Sequence, residues 1–86
     1  MKSFLLKISS PEGDVFCGEA TTLSVRGTEG DLAVMAGHIP FVSCVKPCDC
    51  KIELDDGTEK IGSIQSGLLT VSKEKVILLC GDFAWK

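Results

Sequence analysis

Few side chains in this sequence can do chemistry, and most of them are thiols. Cys17, Cys44, Cys48, Cys50 and Cys80 form an odd set, so they cannot all pair within one chain. The spacing Cys44-x-x-x-Cys48-x-Cys50, with His38 upstream and Cys80 downstream, could in principle supply the four ligands of a metal site. It does not match the paired C-x-x-C of zinc ribbons. Pro47 makes Cys48 a corner residue, while Cys50 and Cys80 share the parity of Ile52-Leu54 and Val76-Leu78, as core residues do. Buried or incidental thiols are therefore expected and no metal site. The alternative is a small cytosolic metal or thiol protein that uses Cys44, Cys48 and Cys50. Lys7 interrupts the apolar Phe4-Leu5-Leu6, so an export signal is not expected, and reduced thiols in a cytosol follow.

The remaining chemistry is sparse. His38 is the sole histidine; a dyad with Cys17 or Cys44 lacks any group to orient it, and beside Gly37 and Pro40 it reads as a turn or contact residue. Gly27-Thr28-Glu29-Gly30-Asp31 is glycine-rich, but its two carboxylates repel a phosphate. Asp55-Asp56 precedes Gly57 in what reads as a solvated hairpin tip. Neither catalysis nor a cofactor is expected. The net charge of −3, with Arg26 the single arginine, argues against nucleic acid, which needs a cationic face. No apolar run exceeds five residues, as in Val76 to Cys80, so no direct membrane insertion by a helix is expected.

These residues must be carried by strands. Seven valines, six isoleucines and five threonines stand against four alanines, in 86 residues that suffice for one domain. Short alternating segments run over Phe4 to Ser9, Ala20 to Arg26, Asp31 to Met35, Phe41 to Val45, Cys50 to Asp55, Thr58 to Ile64, Leu68 to Ser72 and Lys75 to Cys80. Each closes in turn chemistry such as Ser10-Pro11-Glu12-Gly13 or Lys46-Pro47. Asp56-Gly57 predicts a type I′ hairpin, and the apolar Lys75 to Cys80 segment predicts a central strand. The expected fold is all-β: an antiparallel β-sandwich of about 8–10 short strands in a single domain over residues 1–86.

The run Gly27-Thr28-Glu29-Gly30-Asp31-Leu32, then Gly37-His38-Ile39-Pro40-Phe41 and Val45-Lys46-Pro47, resembles the amino-terminal domain of the epsilon subunit of the F-type rotary ATP synthase, called delta in mitochondria. That family reads roughly G-[ST]-E-G-[ED]-x-G-x-x-x-G-H-x-P, followed by a strand and K-P-G. Ile8-Ser9-Ser10-Pro11, Val15-Phe16-Cys17-Gly18 and Ser66-Gly67-Leu68-Leu69 with Val71 fit its other signatures, so the resemblance spans essentially the whole chain. Ala33 and Cys48 stand where the family has glycine.

The resemblance implies a ten-stranded sandwich at the foot of the central stalk, a non-catalytic coupling part of the rotor. Its partners are the gamma subunit and the polar loops of the c ring, in a complex at the cytoplasmic face of the plasma membrane. By match of position, Glu29 and Asp31 face the c ring, and Ser10, His38, Pro40, Val42 and Ser43 face gamma. Longer members continue past the position of Lys86 into a two-helix hairpin that inhibits ATP hydrolysis and in some bacteria binds ATP; neither activity is expected of these residues.

Overall fold

The computed structural model describes residues 3–27, 30–37, 40–73 and 75–86. Nine strands occur among them and no helix. They are β1 (Phe4–Ser10), β2 (Gly13–Gly27), β3 (Gly30–Met35), β4 (Phe41–Val45), β5 (Cys48–Leu54), β6 (Glu59–Ile64), β7 (Gly67–Val71), β8 (Lys75–Cys80) and β9 (Phe83–Trp85).

Hydrogen bonding runs β1-β8-β7-β4-β2-β5-β6-β9, with β3 beside β2 and β1 also paired to β2. Fifteen residues long, β2 serves two layers. Its first half pairs with β1, from Gly13 to Ala20. Its second half pairs with β3 on one side and β5 on the other. One layer is thus β4-β7-β8-β1-β2 and the other β3-β2-β5-β6-β9. Counting β2 once in each layer recovers the ten strands that the resemblance implies.

The changeover falls at a bulge between Ala20 and Thr22. Bulges bend the strand that carries the extra residue. The extra residue here is Thr21, buried, with its hydroxyl donating to the Glu53 carbonyl at 3.2 Å. That bond removes the penalty of a buried, unpaired hydroxyl.

Strand alternation builds the core between the layers. Leu6, Ile8, Leu69, Val71, Val76 and Leu78 come from one layer, and Leu23, Val25, Val34, Cys50, Ile52 and Ile64 from the other. On the side where the first half of β2 meets β9, Phe16 and Trp85 pack edge to face with centroids 6.3 Å apart. Phe83 stacks on Trp85 at 4.7 Å in the same manner.

The all-β sandwich holds and its layers are mostly antiparallel, with one departure, β1 running parallel to β8. Two expectations need correction. The Asp56-Gly57 hairpin forms, but not as type I′, which needs positive φ at both central residues. Only Gly57 is positive, at +89°, and no described non-glycine residue is. Gly57 N–H donates to Leu54 C=O at 3.0 Å and Leu54 N–H to Thr58 C=O at 2.8 Å, a longer loop that spares Asp56 the left-handed region. The other concerns β2, read as starting at Ala20; pairing with β1 extends the strand back to Gly13. As expected, β8 is central, between β1 and β7, although its outer face stays exposed at Leu79.

Candidate docking faces

The outer face of the β4-β7-β8-β1 layer is apolar where it meets solvent. Pairing sets Cys44 opposite Leu68 and Leu68 opposite Leu79. The next row holds Val42, Thr70 and Ile77. Val42 is 64% exposed, Leu79 48% and Leu68 39%. Toward β1 and β2 the face turns polar: Lys7 Nζ lies 3.8 Å from Asp14, and Ser9 donates to the same carboxylate at 2.9 Å.

The opposite outer face is charged. Arg26 pairs with Asp31 at 3.0 Å, Lys51 with Glu59 at 2.9 Å and Lys86 with Asp49 at 2.8 Å. The hydrogen bond and charge of Asp31 raise the Arg26 pKa. Arg26 and Asp31 are cross-strand partners on the β2–β3 hairpin, so the pair follows from register alone.

The residues assigned from sequence divide as follows. Glu29 and His38 lie outside the described residues. Asp31 is exposed at the β2–β3 end, already held by Arg26. Pro40 is exposed just ahead of β4. Ser10 ends β1, where its hydroxyl donates to Gly13 C=O at 3.2 Å and accepts the Glu12 N–H at 3.3 Å. Val42 projects outward, but Ser43 has the opposite parity, half-buried with Phe41. A single sheet face cannot present both. Asp31, Val42 and Ser43 nonetheless converge on one groove of about 480 Å³ between the β2–β3 turn and β4.

Cys44, Leu68 and Leu79, exposed on this face, were not singled out from the sequence as outward-facing. Their signal was an apolar outer parity in β7 and β8, which in sequence reads equally as a strand buried on both faces.

The cysteines are dispersed. Cys44 lies on the apolar outer face, and Cys17 is exposed on β2. Cys48 is half-buried at the start of β5, where its Sγ accepts the Arg26 N–H at 3.3 Å. It takes an ordinary strand conformation there, so the glycine of the family pattern is not required for its backbone. Cys50 is buried and Cys80 donates to the Ser9 carbonyl at 3.4 Å. Burial, then the nearby Cys48 and Cys80, push the Cys50 thiol up to about 12. No group of three His, Cys, Asp or Glu that could hold a metal occurs among the described residues. Nothing supports the metal or thiol alternative.

Comparison with known proteins gives a consistent picture. The family described as ATP synthase, Delta/Epsilon chain, beta-sandwich domain matches residues 3–86. An ATP synthase epsilon chain from Clostridium novyi (strain NT) is 38% identical over 84 residues, covering 98% of this chain and 64% of its own length. This chain therefore spans a little under two thirds of that relative. Among solved structures, a Euglena gracilis mitochondrial ATP synthase (OSCP/F1/c-ring, rotational state 1) superposes with a TM-score of 0.91 at 19% identity, over 96% of this chain and 53% of that one. The central stalk and c-ring of the Tetrahymena thermophila mitochondrial ATP synthase gives 0.79 at 11% identity, over 95% and 66%. At such identities the likeness is one of fold. With an all-strand sandwich matched by the family model from residue 3 to residue 86, the chain belongs to the ATP synthase delta/epsilon-chain β-sandwich domain family.

Proposed function

We propose that this domain is the docking part of an epsilon-type subunit in the central stalk of an F-type ATP synthase. It is non-catalytic, packs one face on the gamma subunit and sets its acidic end on the polar loops of the c ring. In this role it couples ion-driven rotation to ATP synthesis, as a peripheral component at the cytoplasmic face of the membrane.

The observation that carries the reading is the contrast between the two outer faces. Val42, Leu68 and Leu79 lie uncovered on one layer, bounded by Lys7, Asp14 and Ser9, while ion pairs fill the other. Contiguous exposed apolar surface with a polar rim marks a protein interface. In this reading Val42 and Pro40 open the gamma contact, Leu68 and Leu79 continue it, and Ser10 and Ser43 lie at its margin, while His38 is assigned to gamma by the family pattern alone. Asp31, with Glu29, supplies the carboxylates for the ring loops.

The test is co-elution with recombinant gamma subunit from the same organism on a sizing column. A stable one-to-one complex is expected. No complex, with gamma shown to be folded, overturns the reading.

A further inference from the structure

Among the described residues, strand β4 has one open rim. On one side it pairs along its whole length with β7, from Phe41 opposite Val71 to Val45 opposite Gly67. On the other it meets β2 at one step, Gly27 opposite Val45, where Lys46 N–H donates to Arg26 C=O at 2.9 Å. Main-chain groups of successive strand residues point to alternate sides. Those of Val42 and Cys44 thus point the same way as the Lys46 N–H, toward the rim, and those of Ser43 and Val45 point to β7. Among the described residues, no strand pairs with the Val42 N–H and C=O or the Cys44 N–H.

The composition of this rim is unusual. Phe41-Val42-Ser43-Cys44-Val45 carries no charge. The other rims are blunted: β3 carries Asp31, the first half of β2 carries Asp14 and Glu19, and β9 is three residues long. An uncharged open strand is a template for strand addition, and proteins blunt the edges they do not use. The β4 rim opens into the groove of about 480 Å³, where Asp31 is the one charged lining residue among the described residues.

We infer that the gamma subunit docks by laying an extended segment along this rim, pairing with the main chain of Val42 and Cys44 as a further strand of the layer. The inference rests on the stalk reading above and specifies how that contact is made. Strand alternation gives the segment its chemistry: apolar side chains on the outer face beside Val42 and Cys44, alternating with side chains turned toward the groove. The apolar outer face then continues without a break onto the added strand.

Amide hydrogen exchange on the full chain, alone and with recombinant gamma, tests this. Alone, the Val42 and Cys44 amides exchange fast, and those of Ser43 and Val45, bonded to β7, exchange slowly. In the complex, Val42 and Cys44 slow by about 100-fold or more, the protection of a paired strand. Cys44→Pro deletes the rim N–H without touching the β7 ladder, at a place where edge strands accept proline. It weakens the complex by about tenfold or more, equivalent to the roughly 1.4 kcal/mol of a lost hydrogen bond. Cys44→Ala removes the exposed thiol but keeps the N–H, and loses clearly less affinity than Cys44→Pro. A complex that forms with Val42 and Cys44 exchange unchanged overturns the inference and leaves the stalk reading standing; failure of the parent chain to bind folded gamma overturns both. If Cys44→Pro does not fold, the exchange measurement decides.

Discussion

A buried thiol titrates against the fold. Cys50 holds its proton up to about 12 because burial, and then Cys48 and Cys80 beside it, disfavour the thiolate. Once unfolded, it titrates near 9.0, the ordinary value. Between those limits the unfolded chain loses a proton that the folded chain keeps, so the stabilisation is whole below 9.0, falls as pH rises and is gone above about 12. Denaturant melts across that window should show stability falling with pH, with a shallower fall in Cys50→Ala, and Cys80, also raised by burial, supplying part of what remains. An identical slope in the variant would contradict the assignment. Asp31 is exposed and, among the described residues, bonded to Arg26. Screened surface pairs contribute little to folding. Asp31→Lys should therefore leave the thermal midpoint nearly unchanged while weakening association with the c ring. Unaltered coupling in membranes carrying that variant would remove Asp31 from the ring contact.

Glycine decides at the level of the element where two strands come closest. A Cβ on Gly67 would stand 2.6 Å from the Leu79 carbonyl oxygen, across the β7–β8 ladder. Backbone cannot move aside as a flexible side chain can, so Gly67→Ala must spread the two strands. We expect a cost of about 1–3 kcal/mol in urea unfolding, the usual range for overpacking. A neutral result would mean that the ladder relaxes freely. The glycine after Ser66 was legible as a family signature, yet its reason is a contact with a strand twelve residues away. Strand β9 was not legible at all: Phe83-Ala84-Trp85 is too short to show alternation, and it becomes a strand because β6 offers Gly62, Ser63 and Ile64 as partners. Gly62 leaves the space that the Phe83 ring occupies.

The whole molecule keeps two unlike faces on one core. The ion-paired face is content in water, and the Val42-Leu68-Leu79 face is not. Because Leu79 is 48% exposed, Leu79→Asp should fold with a near-normal melt. On the proposed interface it should weaken gamma binding by about tenfold or more, the scale of a truncated central contact. Wild-type binding by a folded Leu79→Asp chain would move the interface elsewhere.

Local physics made much of this legible in the sequence alone. Valine and isoleucine alternation with glycine and proline punctuation determined an all-β domain, the positions of most strands and the core parity of Cys50, because both signals act between near neighbours. The exposure of Asp31 was readable for the same reason. Tertiary structure alone decided what depends on pairing at a distance. It set β1 parallel to β8, extended β2 through two layers by a bulge at Thr21, and put Val42 and Ser43 on opposite sides of β4. It also determined that Leu68 and Leu79 face outward. An apolar residue on a strand has the same signature whether a second layer or a missing partner covers it, and only the assembled layers show which.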